Sequence, residues 1–428
     1  MMNAAFALFA AARIVTLDEA VQSAREHQPQ IRQARANTAA AGARASQALA
    51  PLLPQLSATA GYQRTTANAI TRPGAPSVGP AGSLGATHSK FDTFNSYSDS
   101  INVSQLVFDF GSQPNRWRAA RAQADAQAAT ERATALQVDF NVRSAYFTAR
   151  ANRALAQVAR ETLDNLTRHL QQIEGFVQAG TRAEIDLVQA RTDTANARVA
   201  LINAENAYQT SKLNLNSAMG VQGSTDYDVQ DTAQPPVAGE DAELEVLLEE
   251  ASRARPEVQS LEDQIRAEQL TIRSFEGQYA PALSATLGFQ QGGARLDTLG
   301  WNAAAGLSLS WNIFQGGLTR AQVNEAEANV IAAVAQLDLQ RLQIRSDVDG
   351  ARLAVRAAKE SLSATQEALV NARERLRLAE ERYQVGVGSS IELGDAQVAL
   401  TQAAAQVVQA NDQLSTARAQ LLRALGRQ

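Results

Sequence analysis

The chain has 428 residues, 45% of them hydrophobic and 5% aromatic, with a net charge of −5 and no cysteine. The absence of cysteine excludes disulfides, thiolate metal sites and a cysteine nucleophile, and the slightly acidic balance gives no basis for nucleic-acid binding. Because the sequence contains no Gly-rich phosphate loop, cluster of metal ligands or nucleophile beside a base, we expect neither an enzyme nor a cofactor or metal site.

Residues 1–13 are interpreted as a possible signal-peptide remnant. They contain the apolar run AAFALFAAA at 4–12, but no Lys or Arg precedes this run, as a complete signal peptide requires. Elsewhere no stretch approaches the ~20 consecutive apolar residues of a membrane-spanning helix. The N-terminal segment by itself does not identify the compartment.

Two copies of one pattern follow each other along the chain. PQLSATAGYQ at 54–63 recurs as PALSATLGFQ at 281–290. The first copy is longer, and its extra residues fall in the Pro-, Gly- and Ser-rich stretch 71–88, which predicts a loop. The two segments begin 227 residues apart, and a spacing of this length indicates a tandem duplication rather than a short-period solenoid. Further matches at one fixed offset are Gly111 with Gly317, Gly180 with Gly386, and Gly220 with Gly426.

Each copy predicts a helix, two strands and a helical hairpin, in that order. No proline lies between Pro114 and Pro235 or after Pro281, so long helices are possible there. Apolar residues step by three and four, as in coiled coils, along 163–177 and 185–202. The predicted segments are a first repeat at 14–220 (strands at about 55–64 and 99–110, hairpin 114–220), a connecting segment at 221–242, and a second repeat at 243–428 (strands at about 281–291 and 299–313, hairpin 316–426).

The predicted strands are amphipathic. Along 299–313, large apolar residues alternate with Gly, Asn and Ser, so one face is apolar and the other is small and polar. Membrane β-strands show this alternation and carry aromatic residues at both interfaces. Trp301 and Trp311 are separated by about 25 Å of depth in a tilted strand, and Phe108 and Phe314 fall at the second interface. A β-sandwich with one buried face is the alternative.

Four strands cannot close a barrel, and lipid does not tolerate open sheet edges. Two chains would supply eight strands and a filled interior, whereas three supply twelve and leave a lumen. We therefore predict a homotrimer whose twelve-stranded membrane β-barrel continues into an α-helical tunnel of long antiparallel coiled-coil helices. The alternative is a structural coiled-coil or adhesin-like surface protein without channel activity, which leaves the amphipathic strands unexplained.

Five segments carry a family resemblance: TLDEAVQSAREHQPQI (16–31), LVFDFGSQ (106–113), AGTRAEIDLVQAR (179–191), WNIFQGG (311–317) and RYQVGVGSSIELGDAQ (382–397). Together with the duplication, which extends over nearly the whole chain, they resemble the TolC-type outer-membrane efflux proteins (outer-membrane factors) of Gram-negative bacteria. The resemblance implies a trimeric channel-tunnel with its barrel in outer-membrane lipid and its helices in the periplasm. Such a channel is the passive exit duct of a tripartite efflux or type I secretion system. Its partners are a periplasmic adaptor (membrane fusion) protein and an inner-membrane pump of the RND, ABC or MFS type.

The same resemblance assigns the turns of the two hairpins to the adaptor-facing tip of the tunnel. Glycine suits such turns because it adopts backbone conformations that other residues avoid. The helix starts just beyond the turns would line the periplasmic constriction. The tip residues are Gly180 and Thr181 in the first hairpin and Gly386 and Gly388 in the second.

One departure from the family pattern concerns the bond that closes the tunnel. Some members have an arginine where this chain has Gly388, and the repeat counterpart of that position is Arg182. A closing bond of the usual layout is therefore not expected, and the sequence alone leaves open whether Arg182 or Arg191 pairs with Glu392 instead. Asp186 is the repeat partner of Glu392.

The acidic motif in IELGDA is the candidate periplasmic gate and selectivity site. Glu392 and Asp395 share a helix face, and in a trimer they would form a ring of six carboxylates that attracts cations. Ser389-x-x-Glu392 also fits a helix capping box, as does the segment 181–184 in the first hairpin. Glu392 fits both helix capping and a role in the gate. Asp395 lies outside the capping box, which favours a position in the pore.

The connecting segment is acidic and contains Pro235-Pro236, and no Lys or Arg occurs from Asp226 to Glu250. It is either an equatorial girdle around the middle of the tunnel or a solvated linker. We favour the girdle because the segment joins the two halves.

Overall fold

The computed structural model describes residues 13–66 and 93–427, so the apolar leader at 1–12 and the predicted loop at 71–88 lie outside the described residues. The element order is the one expected from the sequence, with short additional elements. The elements are β1 (Arg13–Val15), α1 (Leu17–His27), α2 (Pro29–Leu49), β2 (Gln55–Thr66), β3 (Thr93–Phe108), α3 (Ser112–Gln178), α4 (Glu184–Met219), β4 (Tyr227–Val229), α5 (Leu244–Ala254), α6 (Pro256–Gly277), β5 (Ala282–Gly293), β6 (Gly300–Ser310), α7 (Leu318–Gln384) and α8 (Ser390–Ala424).

The chain divides into two compact units, and each unit draws on both sequence repeats. The helical unit comprises the chain up to Asn37, Ala128–Ser260 and Leu337–Gln428. The sheet unit comprises Thr38–Gln127 and Leu261–Gln336. The units therefore differ from the sequence repeats, because each collects corresponding parts of the two copies.

Each repeat starts with two helices rather than the single predicted helix. Pro29 and Pro256 begin the second helix of each pair, where the missing proline N–H costs nothing. The preceding residues, Gln28 and Arg255, have extended backbones with ψ of 121°, since a following proline disfavours the helical conformation. Proline thus separates α1 from α2 and α5 from α6.

The long hairpin helices are confirmed. Helices α3 and α7 have 67 residues each, and α4 and α8 have 36 and 35. All six glycines that recur at the fixed offset have positive φ angles, between 72° and 88°. Glycine adopts such left-handed conformations at little cost; four of these glycines follow the end of a helix, whereas Gly111 and Gly317 directly precede α3 and α7. Corresponding turns in the two copies therefore have the same backbone geometry.

The two heptad seams have different environments in the chain. In the first, Ile173 is fully buried and its neighbours along 163–177 are mostly half-buried between helices. In the second, which lies on α4, the large apolar side chains are exposed while Ala190, Thr194 and Ala197 are buried instead. Helix α4 thus packs in its own chain through small residues and leaves an apolar face uncovered. This α4 seam comprises Ile185, Val188, Val199 and Ile202.

The core of the helical unit gathers around α3. Val142, Tyr146 and Phe147 are fully buried there, together with Leu215 of α4. A parallel pair of short strands, β1 and β4, closes the core on one side. The Tyr146 hydroxyl donates to the carbonyl oxygen of Gln230 at 2.9 Å, which fixes the chain just after β4. The sequence analysis did not predict either of these strands.

The connecting segment packs against the helices through buried ion pairs. Both carboxylate oxygens of Glu240 accept hydrogen bonds from Arg418, each at 3.0 Å, and the Lys359 ammonium lies 2.8 Å from the same carboxylate. Burial alone would raise the pKa of Glu240, but the Arg418 and Lys359 hydrogen bonds outweigh it and lower the pKa to about 2. These contacts are typical of an ordered, packed segment rather than a solvated linker.

This ion pair predicts a specific pH dependence of stability. The folded-state pKa of Glu240 lies below its ordinary value of 4.5, so the stabilisation is complete above 4.5 and is lost as the pH falls towards 2. We expect the loss to reach about 2–3 kcal/mol. Thermal unfolding of wild type and Glu240→Gln at pH 7 and pH 3 checks this. The variant should be less stable than wild type at pH 7 and should lose less stability on acidification; equal pH dependence would contradict the assignment.

The sheet unit contains one antiparallel four-stranded sheet in the order β2-β3-β5-β6. Directly opposed residues such as Ala58 and Ile101, or Val103 and Leu287, share one face, which we call the apolar face. The residues between them form the polar face, for example Ser57, Thr59, Ser100, Asn102, Thr286 and Ser308. Within the chain, β2 and β6 are the edge strands.

Three predicted strand boundaries are wrong. Strand β6 ends at Ser310 rather than 313, because Ser310 pairs with Ala282 and the next partner would be Pro281, which has no N–H to donate. Trp311 and Phe314 therefore follow the strand, and the Trp311 indole N–H donates to the Tyr279 carbonyl oxygen at 3.0 Å. Strand β3 begins at Thr93 rather than 99 and ends at Phe108 rather than 110.

The end of β3 has a local cause. Phe110 has a positive φ of 55°, which is incompatible with a continuing strand. The buried Asp109 carboxylate accepts hydrogen bonds from the N–H groups of Gly111 and Gln113, at 3.2 and 2.6 Å, and so stabilises the start of α3.

Among the described residues, no helix is both long enough and apolar enough to cross a membrane.

Candidate functional site

The two hairpin turns are built in the same way. The Thr181 N–H donates to the Phe176 carbonyl oxygen at 2.9 Å, and the Val387 N–H donates to that of Arg382 at 3.1 Å. With Gly180 at φ 72° and Gly386 at φ 81°, this is the Schellman arrangement that ends a helix. Gly388 has no positive φ, but a Cβ there would lie 3.0 Å from the Tyr383 nitrogen. The absence of a side chain at position 388 therefore permits the turn to pack closely against the end of α7.

The three candidate acids have different surroundings. Asp186 accepts a hydrogen bond from the Ser390 hydroxyl at 2.8 Å, which links the start of α4 to the start of α8. Glu392 lies 3.7 Å from the Arg382 guanidinium, in a pair that is half exposed and therefore weak. Asp395 is exposed one turn further along α8. In the single chain the structure thus brings Asp186 beside Ser390 and leaves Asp395 directed to solvent.

The capping predictions are half right. Ser389 is the N-cap of α8, and its hydroxyl accepts the Glu392 N–H at 3.1 Å, as predicted. In the first hairpin the predicted box at 181–184 is wrong. The N-cap of α4 is Ala183, and the Thr181 hydroxyl instead donates to the Phe176 carbonyl oxygen at 2.9 Å. Its hydroxyl is engaged by the end of the preceding helix and does not cap α4.

Within the single chain, Arg182 and Arg191 have partners other than Glu392. Arg191 pairs with Glu174 across the first hairpin at 3.3 Å. The Arg182 guanidinium lies 4.3 Å from the centre of the Tyr383 ring and donates to the Tyr383 carbonyl oxygen at 3.3 Å. A cation–π contact of this kind contributes about 0.5–2 kcal/mol. Arg182 therefore joins the two hairpin turns of one chain through an aromatic ring rather than through a carboxylate.

Tyr383 is the residue at this site that the sequence analysis missed. It is 5% exposed, and His169 of α3 packs edge-on against its ring at 5.6 Å between centroids. Burial raises the pKa of Tyr383 and lowers that of His169. The available signal was its place at the end of a further run of apolar residues spaced by three and four, from Val355 to Tyr383 along α7, directly before the turn. That position puts it within reach of Arg182.

The aromatic residues of the sheet unit form two groups. Trp301 stacks on Phe289 at 6.2 Å on the apolar face, towards one end of the sheet. Phe108 packs edge-on against Phe110 at 4.7 Å at the other end. Phe314 is 87% exposed in the segment after β6. Large exposed aromatics at both ends of an apolar strand face are typical of membrane interfaces.

Among the described residues, no group of three or more His, Asp or Glu side chains is arranged to hold a metal ion. The acids at the hairpin turns contact hydroxyl groups and arginines, so their chemistry is electrostatic. The arrangement is suited to attracting ions and to holding two turns together.

Known proteins resemble this chain over most of its length. It is 28% identical to the protein CyaE of Bordetella pertussis over 416 residues, covering 96% of this chain and 84% of CyaE. It is 29% identical to the solvent efflux pump outer membrane protein SrpC of Pseudomonas putida, with a match that covers 67% of this chain and 61% of SrpC. The fold matches the outer membrane protein VceC of Vibrio cholerae with a TM-score of 0.80, 20% identity and 96% coverage of both chains.

The family assignment rests on a match along both repeats. Residues 20–221 and 247–427 match the outer membrane efflux protein family. These two ranges include both helical hairpins and all four strands of the large sheet. The chain belongs to the outer membrane efflux protein family.

Proposed function

We propose that three copies of this chain form a passive efflux channel in the outer membrane, with the helical hairpins in the periplasm. The observation that carries the proposal is the open four-stranded sheet, whose edge strands β2 and β6 each have one partner in the chain. In lipid, every backbone donor and acceptor needs a partner, so β6 of one copy would pair with β2 of the next. Three copies would then close a twelve-stranded barrel.

The exposed surfaces of the chain support such an assembly. Leu287 and Leu307 on the apolar face of the sheet are 58% and 74% exposed, as expected for side chains that face lipid. The α4 seam is exposed as well, although its heptad spacing is typical of helix packing. A neighbouring copy would cover it. A coiled-coil rod without channel activity would leave the apolar sheet face without a role.

The partners follow from the lack of an energy source in a passive duct. We propose that the hairpin turns around Gly180 and Gly386 dock with a periplasmic adaptor, which connects the channel to an inner-membrane pump. The match to a solvent efflux pump component supports an efflux role.

The proposed role of the tip acids gives a test of channel function. Purified protein in a planar lipid bilayer should open discrete, cation-selective channels. In Glu392→Ala/Asp395→Ala the cation preference should fall about threefold or more, because the ring of carboxylates that concentrates cations is lost. The measurement is the reversal potential in a salt gradient.

Ser389→Ala is the matched control for this experiment. It removes the helix cap but keeps both carboxylates, so it should leave the selectivity unchanged while destabilising the start of α8 by about 1 kcal/mol. If Ser389→Ala reproduces the double variant, the acids act through helix capping and not through the pore. A wild-type protein that never conducts would contradict the channel itself.

A further inference from the structure

We infer that the polar face of the sheet is an uncharged wall, so that passage through the membrane does not discriminate between cationic, anionic and neutral cargo. The inference rests on the proposed function, which makes this face the lining of the barrel. The membrane part of the path then accepts molecules by size and hydrogen bonding, and any discrimination by charge arises in another part of the channel.

The charged residues of the strands lie on the opposite face. In the described parts of β2, β3, β5 and β6, the charged side chains are Arg64 and Asp99. Asp99 is paired with Ala60 on one side and with Gln291 on the other, which puts it on the apolar face. Arg64 alternates with Ala60 along β2 and shares that face. The polar face of these strands therefore carries no formal charge.

Both charges also lie at one end of the apolar face. Asp99 is one pair further along than Ile101, which is opposite Phe289. It is level with Trp301, the aromatic residue at that end of the face. Arg64 is further out, and its guanidinium donates to the Thr93 hydroxyl at 2.9 Å. Asp99 thus lies among the aromatic residues at that end of the face, and Arg64 lies beyond them.

The polar face consists of hydroxyl and amide groups that hydrogen-bond to one another. The hydroxyls of Thr59 and Ser100 lie 2.8 Å apart on neighbouring strands. The Asn102 amide donates to the same Ser100 oxygen at 3.2 Å. Such groups offer both donors and acceptors, so they interact with solutes of either sign and with neutral polar molecules.

The turn between β5 and β6 adds no net charge either. The Arg295 guanidinium donates to both carboxylate oxygens of Asp297, at 3.1 and 3.0 Å. This is a bidentate pair within one loop, in which each charge cancels the other at short range. The described end of this hairpin therefore does not select passing molecules by the sign of their charge.

The absence of cysteine makes a direct test possible, because each introduced thiol is unique. We would prepare Ser100→Cys and Ser308→Cys on the polar face, with Leu287→Cys and Leu307→Cys as matched controls on the apolar face. Each variant, reconstituted in liposomes, is treated with a negatively charged and a positively charged methanethiosulfonate that do not cross membranes. The rates are compared with those of a small thiol in free solution.

Both polar-face cysteines should react with both reagents, at a rate ratio within about threefold of the free thiol, since a neutral lining does not concentrate either ion. Both apolar-face cysteines should stay unmodified in lipid. A preference of about tenfold or more for one reagent would show a charged path and overturn the inference. Reactive apolar-face and unreactive polar-face cysteines would overturn it by reversing the faces.

The test separates this inference from the proposed function. Wild-type protein that fails to conduct in a bilayer contradicts the channel, whatever the labelling result. Wild-type protein that conducts, combined with charge-selective labelling at Ser100→Cys and Ser308→Cys, contradicts the uncharged wall alone. Using two independent positions on the polar face ensures that one poorly folded variant does not decide the outcome.

Discussion

Leu307→Arg should abolish membrane assembly of this protein. Leu307 is 74% exposed on the apolar face of β6, opposite Ala285, in the middle of the strand. An arginine on the lipid face near the membrane midplane costs about 2–4 kcal/mol. A trimer would bear this cost three times around one barrel, and we expect the sum to prevent insertion and assembly.

Ser308→Arg is the matched control, because it introduces the same side chain one residue away on the polar face. It should still insert and form oligomers, since an arginine there faces water. The measurement is the amount of heat-sensitive trimer in the membrane fraction by gel electrophoresis. Normal trimers from Leu307→Arg would show that this face does not contact lipid, and loss of trimer in both variants would remove the difference between the faces.

Ile202→Asp should dissociate the trimer without unfolding the chain. Ile202 lies on the α4 seam and is 59% exposed in the single chain, so the fold of the chain does not depend on this side chain. Covering an isoleucine with a neighbouring copy contributes about 1.5–3 kcal/mol. A buried carboxylate without a partner costs considerably more than the loss of that contribution. The effect is repeated at each of three interfaces.

The comparison for this variant is Ala200→Asp, an exposed position on α4 outside the heptad seam. Native mass spectrometry in detergent gives the oligomeric state, and circular dichroism gives the helix content. We expect Ile202→Asp to give monomers with wild-type helix content and Ala200→Asp to remain trimeric. A stable trimer of Ile202→Asp would mean that the seam is covered by something other than a second copy.

The strands illustrate where periodicity was sufficient and where it failed. Alternation identified Leu307 and Ser308 as residues of opposite faces, because successive side chains along a strand point to opposite faces of the sheet. The ends required the neighbouring strand: β6 stops at Ser310 because its partner there, Ala282, is preceded in the chain by Pro281. The three-residue strands β1 and β4 had no local signal, since each is stabilised by the other across a long stretch of chain.

The heptad seams illustrate a second limit. The residues from 163 to 177 and those from 185 to 202 have the same spacing, yet the first group packs within the chain and the second is exposed. A heptad pattern reports that a helix has an apolar stripe, and it carries no information on whether the partner belongs to the same chain. Only the packed structure distinguishes the two.

The tip site shows the same division at the level of single contacts. Ser389 and Glu392 are three residues apart, so their capping bond was predictable from local geometry. Arg182 and Tyr383 are far apart in sequence, and their contact exists because two hairpin turns meet. The sequence suggested a carboxylate partner for Arg182, whereas the structure supplies an aromatic ring.

By itself, the sequence determined the duplication, the long helices, the faces of the strands and the glycine turns, because each depends on the intrinsic conformational preferences of nearby residues. The tertiary structure decided which seam is exposed, where the strands end, which groups surround Arg182, and how Glu240 holds the connecting segment. These features depend on residues that are distant in the chain, and their energies exist only once the elements have packed together.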